Sequence, residues 1–184
     1  MVAPIKRKKT VAITGVCMLL AIAPAFAQSR KDPLTEQQAE AVREAGDEPL
    51  ERVKLFVGFV DDRAKSIHSL NADAIAQNKN VKLHNLLDEF TRLSDELQDN
   101  MDNFDQQHAD LRKVLKEIVP KTDEWAKVLN EPPPSAQYDF VRKTAIDSNQ
   151  SAHETATQML ADEEKYIAEK KKEEKEREKE EQKR

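Results

Sequence analysis

Four histidines, His68, His84, His108 and His153, are the side chains best suited to metal or acid–base chemistry in this chain. No two of them lie four residues apart, the separation that lets one helical face present a pair of imidazoles to zinc. Asp105-x-x-His108 has the spacing of the carboxylate-x-x-His element of di-iron bundles. That chemistry needs a second such element and further inward glutamates, and the sequence has no second copy. Met101 and Met159 could ligate haem iron between helices, but without Cys-x-x-Cys-His covalent attachment is excluded. Nucleophilic catalysis lacks its parts as well: there is no Gly-x-Ser-x-Gly and no glycine-rich phosphate loop. Carboxylates abound, yet paired acid–base work needs two of them held in one cleft with separated pKa values. The expectation is a protein that is not an enzyme and holds no cofactor or metal. A ligand- or metal-binding bundle using interior His, Met and carboxylates is the reading from another class.

The lone cysteine, Cys17, lies inside an apolar run from Thr10 to Ile22 that follows Lys6, Arg7, Lys8 and Lys9. Ala25-Phe26-Ala27 then supplies the small-x-small pattern of a signal peptidase site. Residues 1–27 therefore read as a signal peptide, cut between Ala27 and Gln28, with Ala25 and Ala27 as the small residues of the site. The apolar run is short for a membrane span, which needs about 20 residues, so no stable membrane anchor is expected after cleavage. Removing this segment takes away four basic and no acidic residues, and the net charge falls from −5 to −9. Such an acidic chain is poorly suited to nucleic acid or to an anionic membrane surface. Without thiols, an exported protein must hold together by packing alone.

Packing here means helices. Beyond residue 27 only Gly46 and Gly58 remain, and the apolar residues recur at three- and four-residue steps. The expected fold is an all-α, elongated antiparallel three-helix bundle over residues 28–168, with short accessory helices. Thr35 and Gln38 form a capping-box pattern that opens a short helix ending by Gly46. Pro49 then starts a helix whose seam is Leu50, Val53, Val57, Val60, Ala64 and Ile67, widened by Leu55, Phe56 and Phe59 towards a second neighbour. A third and longest helix is expected from Leu83 to Ile118, with His108 on its seam and Pro120 ending or kinking it.

Thr122–Asn130 reads as a short helix across one end of the bundle. Pro132-Pro133-Pro134 makes a semi-rigid corner, and Ser135 caps the last helix. Its inward line is Val141, Ala145, Ser148, Ala152, Ala156 and Met159, with Phe140 and Leu160 beside it. Between Asp147 and Thr157 no apolar residue exceeds alanine in size, so this stretch should be the most weakly packed. Residues 169–184 are almost wholly charged and read as a solvated tail, helical or disordered. Trp125, Tyr138 and Phe140 flank the proline corner. They form either a recognition surface or a plug for the bundle end.

Leu34-Thr35-Glu36-Gln37-Gln38 resembles the Leu-Thr-x-x-Gln motif of the Spy/CpxP class of periplasmic helical stress proteins. That resemblance implies a folding helper or stress modulator working without ATP or cofactor. Taken together, the residues describe a periplasmic or secreted bundle acting by protein–protein contact, with another envelope protein as the expected partner.

Overall fold

The computed structural model describes residues 32–181, and among these it is all-helical with no strand. Its helices are α1 (Glu36–Ala45), α2 (Pro49–Ala72), α3 (Lys79–Gln106), α4 (Arg112–Asn130) and α5 (Asp139–Glu181). The signal-peptide residues, including Ala25, Ala27 and Gln28, lie outside the described residues.

Four of these helices, rather than three, form the bundle. Around its perimeter the order is α2, α3, α5, α4, and each packs on the two beside it. Arg52 reaches Asn100 and Arg63 reaches Glu89, so α2 and α3 run antiparallel. Ser148 bonds Asp95 and Ser151 bonds Gln98, which makes α3 and α5 parallel neighbours. Asp61 meets Lys121 while His68 meets Glu131, so α2 and α4 are parallel too. The chain thus passes along the bundle four times, alternately up and down, and the connection from α3 to α4 crosses the bundle diagonally.

The expected third helix of about 37 residues is in fact α3 and α4, separated at 107–111. His108, expected on the seam, is exposed in that break with a left-handed φ of 58°. Its N–H donates to the Asp105 carbonyl at 2.8 Å, and the Ala109 N–H donates to the Phe104 carbonyl at 3.0 Å. These are the two bonds of a Schellman stop, with histidine in the position usually held by glycine or asparagine. Histidine is among the non-glycine residues that enter this region more readily than most.

Pro120, by contrast, sits inside α4. Its ring is exposed, and so is Lys116, whose carbonyl loses the proline's missing N–H. The lost bond therefore falls on the watered side of the helix. The opposite face, Val114, Leu115, Ile118, Thr122, Trp125 and Leu129, is buried and holds α4 along the full bundle. Packing outweighs the proline.

The core follows the expected seams: Val53, Val60, Ala64 and Ile67 on α2, and Leu83, Leu87, Phe90, Leu93, Leu97, Met101 and Phe104 on α3. On α5, Ala145, Ala152 and Ala156 are buried, and Val141, Ile146, Met159 and Leu160 lean on the core from its edge. Phe140, expected beside that inward line, points into solvent instead. Thr35 caps α1 in both directions, accepting from Gln38 N–H while Gln38 Oε1 accepts from Thr35 N–H. α5 continues without interruption past residue 168, so the charged segment is helical through Glu181.

Replacing Pro120 with alanine restores a backbone bond on the exposed face of α4. A proline inside a helix costs about 3 kcal/mol, so P120A is expected to raise unfolding free energy by about 1–3 kcal/mol in urea titration. No change, or a loss, would show that the ring makes a contact of its own.

Candidate functional site

Three surface features stand out once the helices are in place. The first is the end at which α2 finishes and α3 and α5 begin. The turn between α2 and α3 is opened by Asp73, whose carboxylate accepts from the Ile75 N–H at 3.0 Å. Lys79 closes the same turn by donating to the Asn71 and Asp73 carbonyls. With its backbone so fixed, the turn holds Ile75 out in water at 91% exposure, and Val81 follows at 57%. Across this end the triple-proline corner is tied down by the residues after it. The Tyr138 hydroxyl donates to the Pro133 carbonyl and Arg142 donates to the Pro132 carbonyl. His84 Nδ1 lies 3.2 Å from the Gln137 carbonyl oxygen, which joins the start of α5 to α3. Phe140, one turn on, is 83% exposed.

The three aromatic residues flanking the proline corner are therefore not one surface. Trp125 and Tyr138 are buried, and only Phe140 reaches solvent. The apolar companions of Phe140 at this end are Ile75 and Val81, which sequence reasoning did not single out. An isoleucine within an Asn/Asp-rich turn was the available signal.

The second feature is a groove of about 440 Å³ between α2 and α4, floored by Ala64, Trp125 and Val128. Asp61 stands at its edge and collects three donors: Lys65 at 2.8 Å, the Trp125 indole N–H at 3.0 Å and Lys121 at 3.1 Å. Burial works to raise the Asp61 pKa, but the hydrogen bonds from Lys65, Trp125 and Lys121 outweigh it and bring it to about 2. This carboxylate orients Trp125 and joins two helices. With so low a pKa it is a poor proton acceptor at neutral pH.

The third feature lies at the opposite end, an open cleft of about 580 Å³ where α5 leaves the bundle beside the α3–α4 turn. Asp105, Asp110, Asp162 and Glu163 line it with His108, Tyr166 and Lys170. Burial, then repulsion from Asp99 and Asp105, pushes the Asp102 carboxyl up. Burial is also the main cause raising Glu163, opposed by the Leu111 N–H that donates to it at 3.2 Å. Arg112 holds Asp110 down at about 2. The four carboxylates of the cleft face one lysine in its lining, and Arg112 pairs with two of them. Among the described residues, however, no three His, Cys, Asp or Glu side chains converge on a point where a metal ion could sit.

His68 and His153 complete the set of candidate ligands, and both are used in joining helices. His68 Nδ1 is 2.7 Å from Glu131, and His153 Nδ1 is 2.8 Å from the Thr122 hydroxyl. Met101 is a core residue and Met159 borders the core. Comparison with protein-family models, with curated proteins and with solved structures finds no match for this chain. No helix among the described residues is long and apolar enough to cross a membrane.

Asp61 gives a prediction about pH. Its lowered pKa stabilises the folded state at pH values above the ordinary carboxylate range near 4. That contribution is lost as pH falls from about 4 through about 2. D61N is expected to lower unfolding free energy by about 1–2 kcal/mol at pH 7. The gap between variant and wild type should narrow steadily below pH 4. A gap independent of pH would mean that Asp61 acts by shape alone.

Proposed function

We propose that this chain is an exported, non-enzymatic helical-bundle protein that acts by protein–protein contact in the periplasm or cell envelope. The observation that carries this reading is that, of the four large apolar side chains exposed among the described residues, only Tyr166 sits at one end and three sit at the other. Ile75, Val81 and Phe140 all belong to the turn or helix starts there. The turn holding Ile75 and the corner preceding Phe140 are both pinned by side-chain bonds to backbone carbonyls or amides. A pre-ordered apolar tip loses little conformational entropy on binding. Single exposed apolar residues are ordinary on a protein surface, but three at one rigid end suit a docking tip. A folding-helper role of the Spy/CpxP kind is the same reading with an unfolded client as the partner, and the exposed tip is what favours it. The compartment rests on the N-terminal segment described above.

Incorporating a photo-crosslinking phenylalanine analogue at position 140, in the native envelope, should give discrete adducts. The same probe at exposed Gln150, on the flank of α5, should not. Ile75→Ser and Val81→Ser together should remove most of the adduct from position 140 while leaving the melting temperature within a few degrees. Mass spectrometry of the exported chain should find it beginning at Gln28. Equal labelling at both positions, or none, would sink the docking tip. Client-type binding would show as suppressed aggregation of a denatured protein, weakened by F140S.

A further inference from the structure

α1 is the one helix with no fully buried residue, and it is held at both of its ends by arginines of α2. Arg52, Phe56, Phe59 and Arg63 follow one another at 4-3-4 spacing and share one face of α2. The two phenylalanines meet edge to face with ring centres 5.7 Å apart. The two arginines bracket them, and each does the same double task. Arg52 donates to the Gly46 carbonyl just after α1 at 3.2 Å, and to Asn100 of α3 at 2.6 Å. Arg63 donates to the Pro33 carbonyl just before α1 at 2.7 Å, and to Glu89 of α3 at 2.6 Å.

Both ends of α1 are thus gripped through backbone carbonyls, while Leu34 and Val42 rest on the apolar cluster that contains Phe56 and Phe59. Backbone carbonyls are the same in every sequence. The arginines therefore read the length of a short helix, and its sequence enters through Leu34, Val42 and the buried Pro33. Asn100 and Glu89 hold both guanidinium groups in place independently of α1, so the grip persists when α1 leaves. α1 also contacts α2 alone among the helices, whereas each of the other four has two or more neighbours. It is joined to α2 by only Gly46, Asp47 and Glu48, with Gly46 at φ 52°, a conformation that glycine adopts without cost.

We propose that α1 is a latch over an exchangeable helix-docking face, Arg52–Phe56–Phe59–Arg63. When α1 swings away, this face takes a short amphipathic helix of a partner protein. The occupant has the chemistry that α1 displays: about ten residues, apolar side chains two turns apart, and free carbonyls at each end. The inference rests on reading the protein as one that acts by binding, and it adds a second, gated surface to the tip. α1 opens as a unit because few contacts must break, the usual mark of a low-stability segment.

The test uses the full mature chain. Hydrogen exchange should show the α1 amides opening about tenfold or more faster than the cores of α2 and α3. T35A/Q38A, which removes the capping box and leaves the face untouched, should speed α1 further without moving the bundle. A fluorescent peptide of residues 32–47 should then bind T35A/Q38A several-fold more tightly than wild type. It should fail to bind T35A/Q38A/R52Q/R63Q, with circular dichroism used to check that the variant's bundle is intact. Exchange of α1 at the same rate as the bundle core would overturn the latch. Equal binding of a scrambled peptide, or of the peptide to the arginine variant, would overturn the docking face. Dimers that trade α1 between copies would replace the partner with a second copy of this chain. Because hydrogen exchange needs no partner, its outcome is independent of whether the tip captures anything.

Discussion

The bundle depends on one meeting of large side chains across its diagonal. Phe90 on α3 and Trp125 on α4 pack edge to face, 6.0 Å between ring centres and 84° between planes. Their backbones are not neighbours, so the rings must span the interior. They can do so because α5 places only Ala145, Ser148, Asn149, Ala152 and Ala156 at its buried positions along that height. Small residues on one wall make room for large ones from the two beside it, which is how interiors reach dense packing. The arrangement also explains the polar bonds around Trp125. Its indole N–H needs a buried acceptor, and Asp61 supplies one from α2.

The same economy leaves a weak level in the core. Asn149 donates to the Thr122 carbonyl at 3.0 Å, and Thr122 bonds both the Val119 carbonyl and His153. Ser94 Oγ and Asn149 Oδ1 are buried at this height without a bond. Each such atom keeps most of its desolvation cost. The alanine-rich stretch of α5 therefore contributes register through polar bonds more than it contributes stability through buried area.

Periodicity made the seams of α2, α3 and α5 legible, since a residue's face follows from its step along the helix. It failed where the backbone changed direction without glycine or proline to announce it. The α3–α4 turn is written in Phe104, Asp105, His108 and Ala109, whose Schellman bonds depend on one histidine entering a left-handed conformation. Pro120 misled in the opposite sense: a strong local breaker was placed where only water notices the missing bond. Phe140 shows a third limit. Near a helix start its phase relative to the inward line is easily misassigned, and a proline corner gave no further constraint. Of the candidate surface, the corner itself was readable. The exposed turn at Ile75 was not, because an apolar residue between helices looks the same whether it caps a core or stands clear of it.

Charge distribution sets the two ends of the bundle apart. Along α5 the line Ala145, Ala152, Ala156, Met159 and Glu163 continues in phase to Ile167, Lys170, Glu174 and Arg177. Its apolar character stops at Ile167, the level where α3 has ended and α4 has begun. Beyond it none of the other described helices packs on α5, and a face that was alanine becomes lysine, glutamate and arginine. Lys170 places its ammonium 4.6 Å from the ring centre of Tyr166, which remains 56% exposed at the bundle edge. An apolar continuation would have created a sticky seam for coiled-coil pairing; a charged one does not. At the opposite end Ile75, Val81 and Phe140 stand in solvent beside a turn and a corner fixed by side-chain bonds. The two ends of the bundle therefore differ in kind: one continues as a charged helix carrying a single exposed ring, Tyr166, and the other carries Ile75, Val81 and Phe140 in solvent.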